Sequence, residues 1–186
     1  PGRVCTIDRL DFSNETLLLP GNNLPAGKSN LAAVSTSSYG YFGGGSPNTV
    51  LVNRLDFFSE TFSAPGNNLS QARSNLAATE SNSYGYFAGG NYAIATVDRL
   101  DFSNETTSAP GSTMPYSTYG GGVAAVSSSS YGYFGGGTNG PVYTSRIRRL
   151  DFSNHTFSNP DNLLLSQVKD RMTGTESNSY GYFAGG

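Results

Sequence analysis

The chain has no tryptophan, one histidine (His155), one cysteine (Cys5) and two methionines among its 186 residues. A lone cysteine permits no disulfide within the chain, which excludes the small secreted disulfide-rich scaffolds. Charge is also scarce: charged residues make up 13% of the chain and the net charge is −2, against a usual charged share of about 25%. Nucleic acids and anionic membranes are bound through basic faces. Here Lys and Arg are spread along the chain without a cluster, so nucleic-acid binding is not expected. No apolar run approaches the ~20 residues of a membrane helix, and membrane insertion is not expected either. The first residues, Pro1-Gly2-Arg3, resemble neither an initiator methionine nor a signal peptide. The expectation is of a chain processed, trimmed or cut from something longer.

What the chain has in quantity is glycine (24), tyrosine (12) and phenylalanine (11). Disordered chains lack aromatics and carry high net charge, so this one is expected to fold. Many glycines and aromatics with few helix-forming charges favour short strands and tight turns. The strongest signal is internal repetition. Arg-Leu-Asp-Phe occurs at Arg9–Phe12, Arg54–Phe57, Arg99–Phe102 and Arg149–Phe152, spaced by 45, 45 and 50 residues. Tyr-Gly-Tyr-Phe occurs at Tyr39–Phe42, Tyr84–Phe87, Tyr131–Phe134 and Tyr180–Phe183, each running into glycines. Eleven residues separate Phe42 from Arg54 and Phe87 from Arg99. Counting from Phe183 to Gly186 and on from Pro1 to Arg9 again gives 11. The last unit thus runs into the first in phase. Either residues 1–30 complete the unit whose inner strands lie at 170–186, or the chain is a window of a longer array.

Each unit reads as four strands. The first is of the Leu31–Ser35 type, recurring at Leu76–Glu80, Val123–Ser127 and Met172–Glu176, and ends in a polar turn such as Ser35–Ser38 or Glu80–Ser83. The second is Tyr-Gly-Tyr-Phe. The third covers Thr6–Phe12, Leu51–Phe57, Thr96–Phe102 and Arg146–Phe152, and a short fourth is typified by Thr16–Leu19. Pro-Gly-Asn-Asn at Pro20–Asn23 and Pro65–Asn68 supplies turn formers for a long connection. Four short strands in 45–50 residues are the size of one propeller blade. The helical period of 3.6 residues is absent. The fold class expected is all-β, a single repeat domain over 1–186 with four blade-equivalents of four antiparallel strands, arranged as a β-propeller or an arc of one.

These units resemble the kelch family. Arg73, then Leu76-Ala77-Ala78, then Tyr84–Phe87 with Gly89-Gly90, then Leu100-Asp101-Phe102 follow the family's order of a basic residue, a small-residue strand, an aromatic strand closed by a glycine pair, and an aspartate strand. Lys28 and Lys169 fall in the register of Arg73, and Gly120 does so in the third unit. The closing tryptophan of the family is absent; Leu17, Phe62, Thr107 and Phe157 stand near its place. The resemblance implies a larger propeller of six or seven blades, completed by further chain or another subunit; a self-closed ring of four is the rival. The near-identical copies are also similar to repeat arrays in marine phages and aquatic microbial surface proteins, which implies a virion, cell-surface or other extracellular setting.

Catalysis needs convergent titratable groups, and a single histidine with a single cysteine cannot assemble an ordinary zinc or copper site. His155 reads as an exposed turn residue in place of Glu15 and Glu105. The recurring pairs Arg9/Asp11, Arg54/Asp56, Arg99/Asp101 and Arg149/Asp151 share one strand face because positions i and i+2 do. They are expected to make structural ion pairs or hydrogen bonds between blades, with the aspartates also accepting from the following turn. A carboxylate ring holding Ca²⁺ is the alternative, without the dense Asp/Asn loops such sites favour. Asn-x-Ser/Thr at Asn14, Asn68, Asn104 and Asn154 marks N-glycosylation acceptors if the protein meets that machinery. The stretch Met114–Gly121 and the insertion Thr138–Ser145 break the repeat, and Tyr116, Tyr119 and Tyr143 could stack on a sugar or a protein. The function expected is a non-enzymatic structural or recognition module, without cofactor or metal, contacting protein partners, copies of itself or glycans. A lectin with one sugar site per blade is the alternative.

Overall fold

The structure is a computed structural model and describes residues 3–91, 94–115, 122–139 and 141–186. Every regular element among them is a β-strand. A hairpin of β1 (Arg9–Asp11) and β2 (Thr16–Leu18) comes first. A four-stranded antiparallel sheet follows, with β3 (Ala32–Ser35), β4 (Tyr39–Gly43), β5 (Val52–Asp56) and β6 (Phe62–Ser63) in spatial order. The second sheet repeats it with β7 (Ala77–Glu80), β8 (Tyr84–Ala88), β9 (Val97–Asp101) and β10 (Thr107–Ser108).

The third sheet consists of β11 (Ala124–Ser127), β12 (Tyr131–Gly135), β15 (Ile147–Asp151) and β16 (Thr156–Ser158). Between its middle strands the insertion forms its own hairpin, β13 (Thr138–Asn139) with β14 (Val142–Tyr143). β17 (Met172–Glu176) and β18 (Gly181–Gly185) end the chain as a two-stranded sheet. The terminal hairpins are separate sheets, and the described strands do not close into a ring.

The register is the same in every complete sheet. Tyr39 lies opposite Asp56 and Tyr41 opposite Arg54; Tyr84 lies opposite Asp101 and Tyr86 opposite Arg99. Tyr131 lies opposite Asp151 and Tyr133 opposite Arg149. Alternation along the aromatic strand sends neighbours to opposite faces, which suits a sheet covered on both sides. Tyr86 joins the core between the second and third sheets, with Val123, Phe134 and Leu150. Phe87 joins the core between the first and second, with Val34, Tyr41 and Val52. A buried apolar side chain recurs at one position of the long connections: Leu24, Leu69 and Met114. Their backbone N–H groups donate to Cys5, Val50 and Ala95 carbonyls at 2.8–2.9 Å.

The first strands of successive sheets lie next to one another, β3 against β7, β7 against β11 and β11 against β17. Just before each, the backbone enters the left-handed region at Asn30 (φ 55°), Asn75 (φ 56°), Gly122 (φ 88°) and Arg171 (φ 52°). Asparagine and glycine tolerate that conformation, whereas other L-residues lose about 1–2 kcal/mol there. Arg171→Asn is therefore expected to raise the unfolding free energy by up to about 1 kcal/mol, whereas Leu100→Ala, in the fully buried core, is expected to lower it by about 2–5 kcal/mol. Chemical denaturation with the slope held constant measures both.

Candidate functional site

The Arg-x-Asp pairs divide their work. Each aspartate serves its own turn. Asp11, Asp101 and Asp151 accept from the backbone N–H of Ser13, Ser103 and Ser153 at 2.8–2.9 Å and from their hydroxyls at 2.6 Å. Asp56 accepts from the N–H groups of Phe58 and Ser59. These bonds hold all four carboxyls below their ordinary pKa of 3.8, the serine bonds being the leading cause in each case.

Each arginine of a complete sheet lies over the first tyrosine of the same sheet, Arg54 on Tyr39, Arg99 on Tyr84 and Arg149 on Tyr131, all 4.7 Å from the ring centre. Two arginines also reach the next unit. Arg54 bonds Glu105 at 2.7 Å, and Arg9 bonds Glu60. The ion pairs therefore run between units, to a glutamate in the turn, and not within the Arg-x-Asp pair.

The turn residue at that phase also receives the second tyrosine of the preceding sheet. The Tyr41 hydroxyl donates to Glu105 at 3.0 Å. His155 stands in the same position one sheet on, with its Nδ1 2.9 Å from the Tyr86 hydroxyl. Its ring meets Tyr84 edge-on. His155 is thus a half-buried joint between sheets, not the exposed turn residue expected. Burial, aided by Arg99, lowers its pKa below 6.5. Burial likewise pushes the Tyr86 hydroxyl up to about 12. Tyr41 stacks on Phe102 and Tyr86 on Phe152, with centroids 5.5 and 5.3 Å apart.

A second ionic feature lies deeper. Arg73 is fully buried, bonding Asp98 at 2.7 Å and the Phe87 carbonyl at 3.0 Å. In the third sheet the residue in register with Asp98 is Arg148, which is equally buried and donates to the carbonyls of Pro115 and Gly136. Its register with Asp98 was the available signal: the residue preceding Arg-Leu-Asp-Phe is Asp8, Asn53, Asp98 or Arg148 in the four units.

The inner turns make the candidate binding site. Ser35–Ser37, Glu80–Asn82, Ser127–Ser129 and Glu176–Asn178 surround one open cavity of about 920 Å³. The same short turn from all four units thus supplies every side chain of the cup. Ser35 and Glu80 bond across adjacent units at 3.4 Å, and Ser127 and Glu176 at 2.9 Å. Hydroxyls, amides and two carboxylates line it, with no basic or aromatic residue. Burial first, and the Glu176 carboxylate second, raise the pKa of Glu80 above 4.5. Sequence reasoning read these turns only as polar links; the alternation of serine (Ser35, Ser127) with glutamate (Glu80, Glu176) was the available signal.

The remaining sequence candidates are dispersed. Tyr116 and Tyr119 lie outside the described residues. Tyr143 is exposed on the β13–β14 hairpin, so the insertion there is a short sheet. Asn14, Asn68, Asn104 and Asn154 are all exposed. In three of them the side-chain oxygen accepts from Thr16, Thr106 or Thr156, through the N–H at 2.9–3.0 Å and the hydroxyl at 2.6 Å. That is a turn-stabilising role. Among the described residues no three His, Cys, Asp or Glu side chains converge as a metal site. No helix of the described residues is long and apolar enough to cross a membrane. No protein-family model matches the chain, and no curated protein matches it.

The raised pKa of Glu80 fixes the sign of a stability test. A carboxyl raised in the folded state contributes stability below its ordinary value of 4.5, and that contribution is lost as pH rises through the folded value. Glu80→Gln removes the charge that the fold disfavours. Its thermal midpoint is expected to exceed that of the parent at pH 7, with the difference shrinking below pH 4.5.

Proposed function

We propose that the chain is a non-catalytic recognition module of kelch-like propeller architecture, working in an extracellular, cell-surface or virion assembly, with the inner-turn cup as its contact surface. The observation that carries this reading is the cup itself, because four copies of one turn converge on a single polar cavity. Rigid sheets behind the turns fix the hydroxyls and the two carboxylates in place, so a ligand meets preorganised partners and less ordering entropy opposes binding. A protein segment or glycan carrying hydroxyl, amide or ammonium donors matches that lining. In such a compartment Asn14, Asn68, Asn104 and Asn154 would be open to glycosylation, being exposed.

The lectin reading has its own supporting observation. Between the second and third sheets a cavity of about 450 Å³ combines the rings of Tyr84, Tyr131 and Phe152 with Ser83, Ser130 and Asp151. Ring faces beside hydrogen-bonding groups suit a sugar. Screening the chain against a glycan array and a displayed peptide library separates the two readings. The cup reading expects ligands whose binding Glu80→Gln with Glu176→Gln weakens at least tenfold while Tyr84→Ala leaves it unchanged. A lectin with one site per unit gives the reverse pattern. Ligands indifferent to both sets of substitutions overturn both readings.

A further inference from the structure

One internal position of successive units carries a cation, and each unit completes it differently. Arg73 leads into the second complete sheet and bonds Asp98 of that sheet at 2.7 Å; Asp98 also accepts from the Ser70 N–H at 3.1 Å. In the third sheet the strand itself supplies the cation, Arg148, which donates to the carbonyls of Pro115 and Gly136.

The first complete sheet has the same frame and different chemistry. Lys28 takes the register of Arg73, and Asn53 takes that of Asp98. The backbone is held alike in both units. The Lys28 N–H donates to the Val4 carbonyl and the Arg73 N–H to the Thr49 carbonyl, each at 3.2 Å. Asn53 lies opposite Phe42 as Asp98 lies opposite Phe87. A Cβ built on Gly45 would lie 3.5 Å from the Cβ of Lys28, and one built on Gly90 would lie 3.1 Å from that of Arg73. The two cationic side chains therefore start from equivalent points, and Asn53, at 4% exposure, is buried as Asp98 is.

The negative charge is what differs. Asn53 is neutral where Asp98 is an anion. Among the described residues neither Lys28 Nζ nor Asn53 Nδ2 meets a hydrogen-bond acceptor, although both atoms are buried. The partners of Arg73, the Asp98 carboxylate and the Phe87 carbonyl, belong to the sheet that Arg73 leads into. The corresponding groups of the first sheet, Asn53 and Phe42, are both present, and neither satisfies Lys28. A lysine also ends one bond short of the arginine Nη atoms, which shortens its reach toward Asn53. An ammonium and an amide N–H held out of water without acceptors cost free energy. Burial accordingly lowers the Lys28 pKa from its ordinary 10.5. A single anion between the two donors relieves both.

We propose that Lys28 Nζ and Asn53 Nδ2 hold a small monovalent anion of halide size, standing where the Asp98 carboxylate stands one sheet on. Both donors hydrogen-bond to the ion, and its charge offsets the buried ammonium. The burial of both donor atoms restricts the site to a small ion. The ion ties the connection at Lys28 to β5 as the Arg73–Asp98 pair ties its own connection to β9. The site is separate from the inner-turn cup and does not rest on what the cup binds.

The test is thermal unfolding of the full chain at fixed pH and ionic strength, with gluconate replaced stepwise by chloride or bromide. The parent midpoint is expected to rise with halide, the folded-to-unfolded ratio gaining about tenfold when the halide reaches about ten times its dissociation constant. Asn53→Asp builds the carboxylate into the fold. It is expected to unfold above the parent in gluconate and to lose the halide response. Lys28→Met removes the cation and is expected to lose the response as well; it carries the comparison alone if Asn53→Asp does not fold. Bromide NMR linewidths, recorded well below the midpoint, should broaden with the parent and not with either variant. A parent indifferent to halide overturns the proposal, and is the result that a direct bond from Lys28 to an inverted Asn53 amide would give. A halide response that either folded variant retains in full, as a general salt effect would, overturns it too.

Discussion

Everything in this structure depends on one close approach: the first strand of each sheet presses a side chain onto the glycine in the middle of the next sheet's aromatic strand. A Cβ built on Gly85 would lie 2.6 Å from Val34; on Gly132 it would lie 2.7 Å from Thr79, and on Gly181 2.7 Å from Val126. No side chain fits there. The missing side chain lets the sheets close to contact, and the flanking Tyr41, Tyr86, Phe87 and Phe134 become buried. Close packing of this kind makes each unit dependent on its neighbours, as expected of repeat proteins. The buried aromatics pack among aliphatic side chains, Tyr41 and Phe87 with Val34, Val52, Leu76 and Leu100, and Tyr86 and Phe134 with Val97, Val123 and Leu150.

The contacts between units form two layers around that packing. Outside it, Arg54 with Glu105, and Tyr86 with His155, tie the turn of one unit to the strands of the one before. Inside it, the four inner turns are brought into one cup as a geometric consequence of stacking. The cup is therefore not a feature of any single unit. The partly buried Glu80 shows that the arrangement carries an electrostatic cost, since its charged form is disfavoured there by burial and by Glu176.

Much of the fold was legible in the sequence because the repeat did the reading. Four copies of Tyr-Gly-Tyr-Phe and Arg-Leu-Asp-Phe placed the two central strands of every unit, and the third strands came out shorter than expected, Val97–Asp101 in place of Thr96–Phe102. The site was less legible. Partners such as Arg9 and Glu60, or Arg54 and Glu105, are 51 residues apart, six beyond the 45-residue repeat, so the pairing follows from lateral packing and not from any local pattern. The pair Arg73–Asp98 was half visible: Arg73 stood out by register, whereas Asp98 sits beside a stronger motif that masks it. The cup was invisible because curvature, which no single unit encodes, decides which turns meet.

The central claim is that the sheets are one mechanically coupled stack through the glycine contacts. Hydrogen exchange on Gly85→Ala tests it most directly, since the added methyl must displace Val34 on the neighbouring sheet. Overpacking of this kind costs about 1–3 kcal/mol. The account predicts that protection falls together in β3 of the first sheet and β8 of the second, across the shared face. Protection lost in β8 alone, or unchanged throughout, would contradict it.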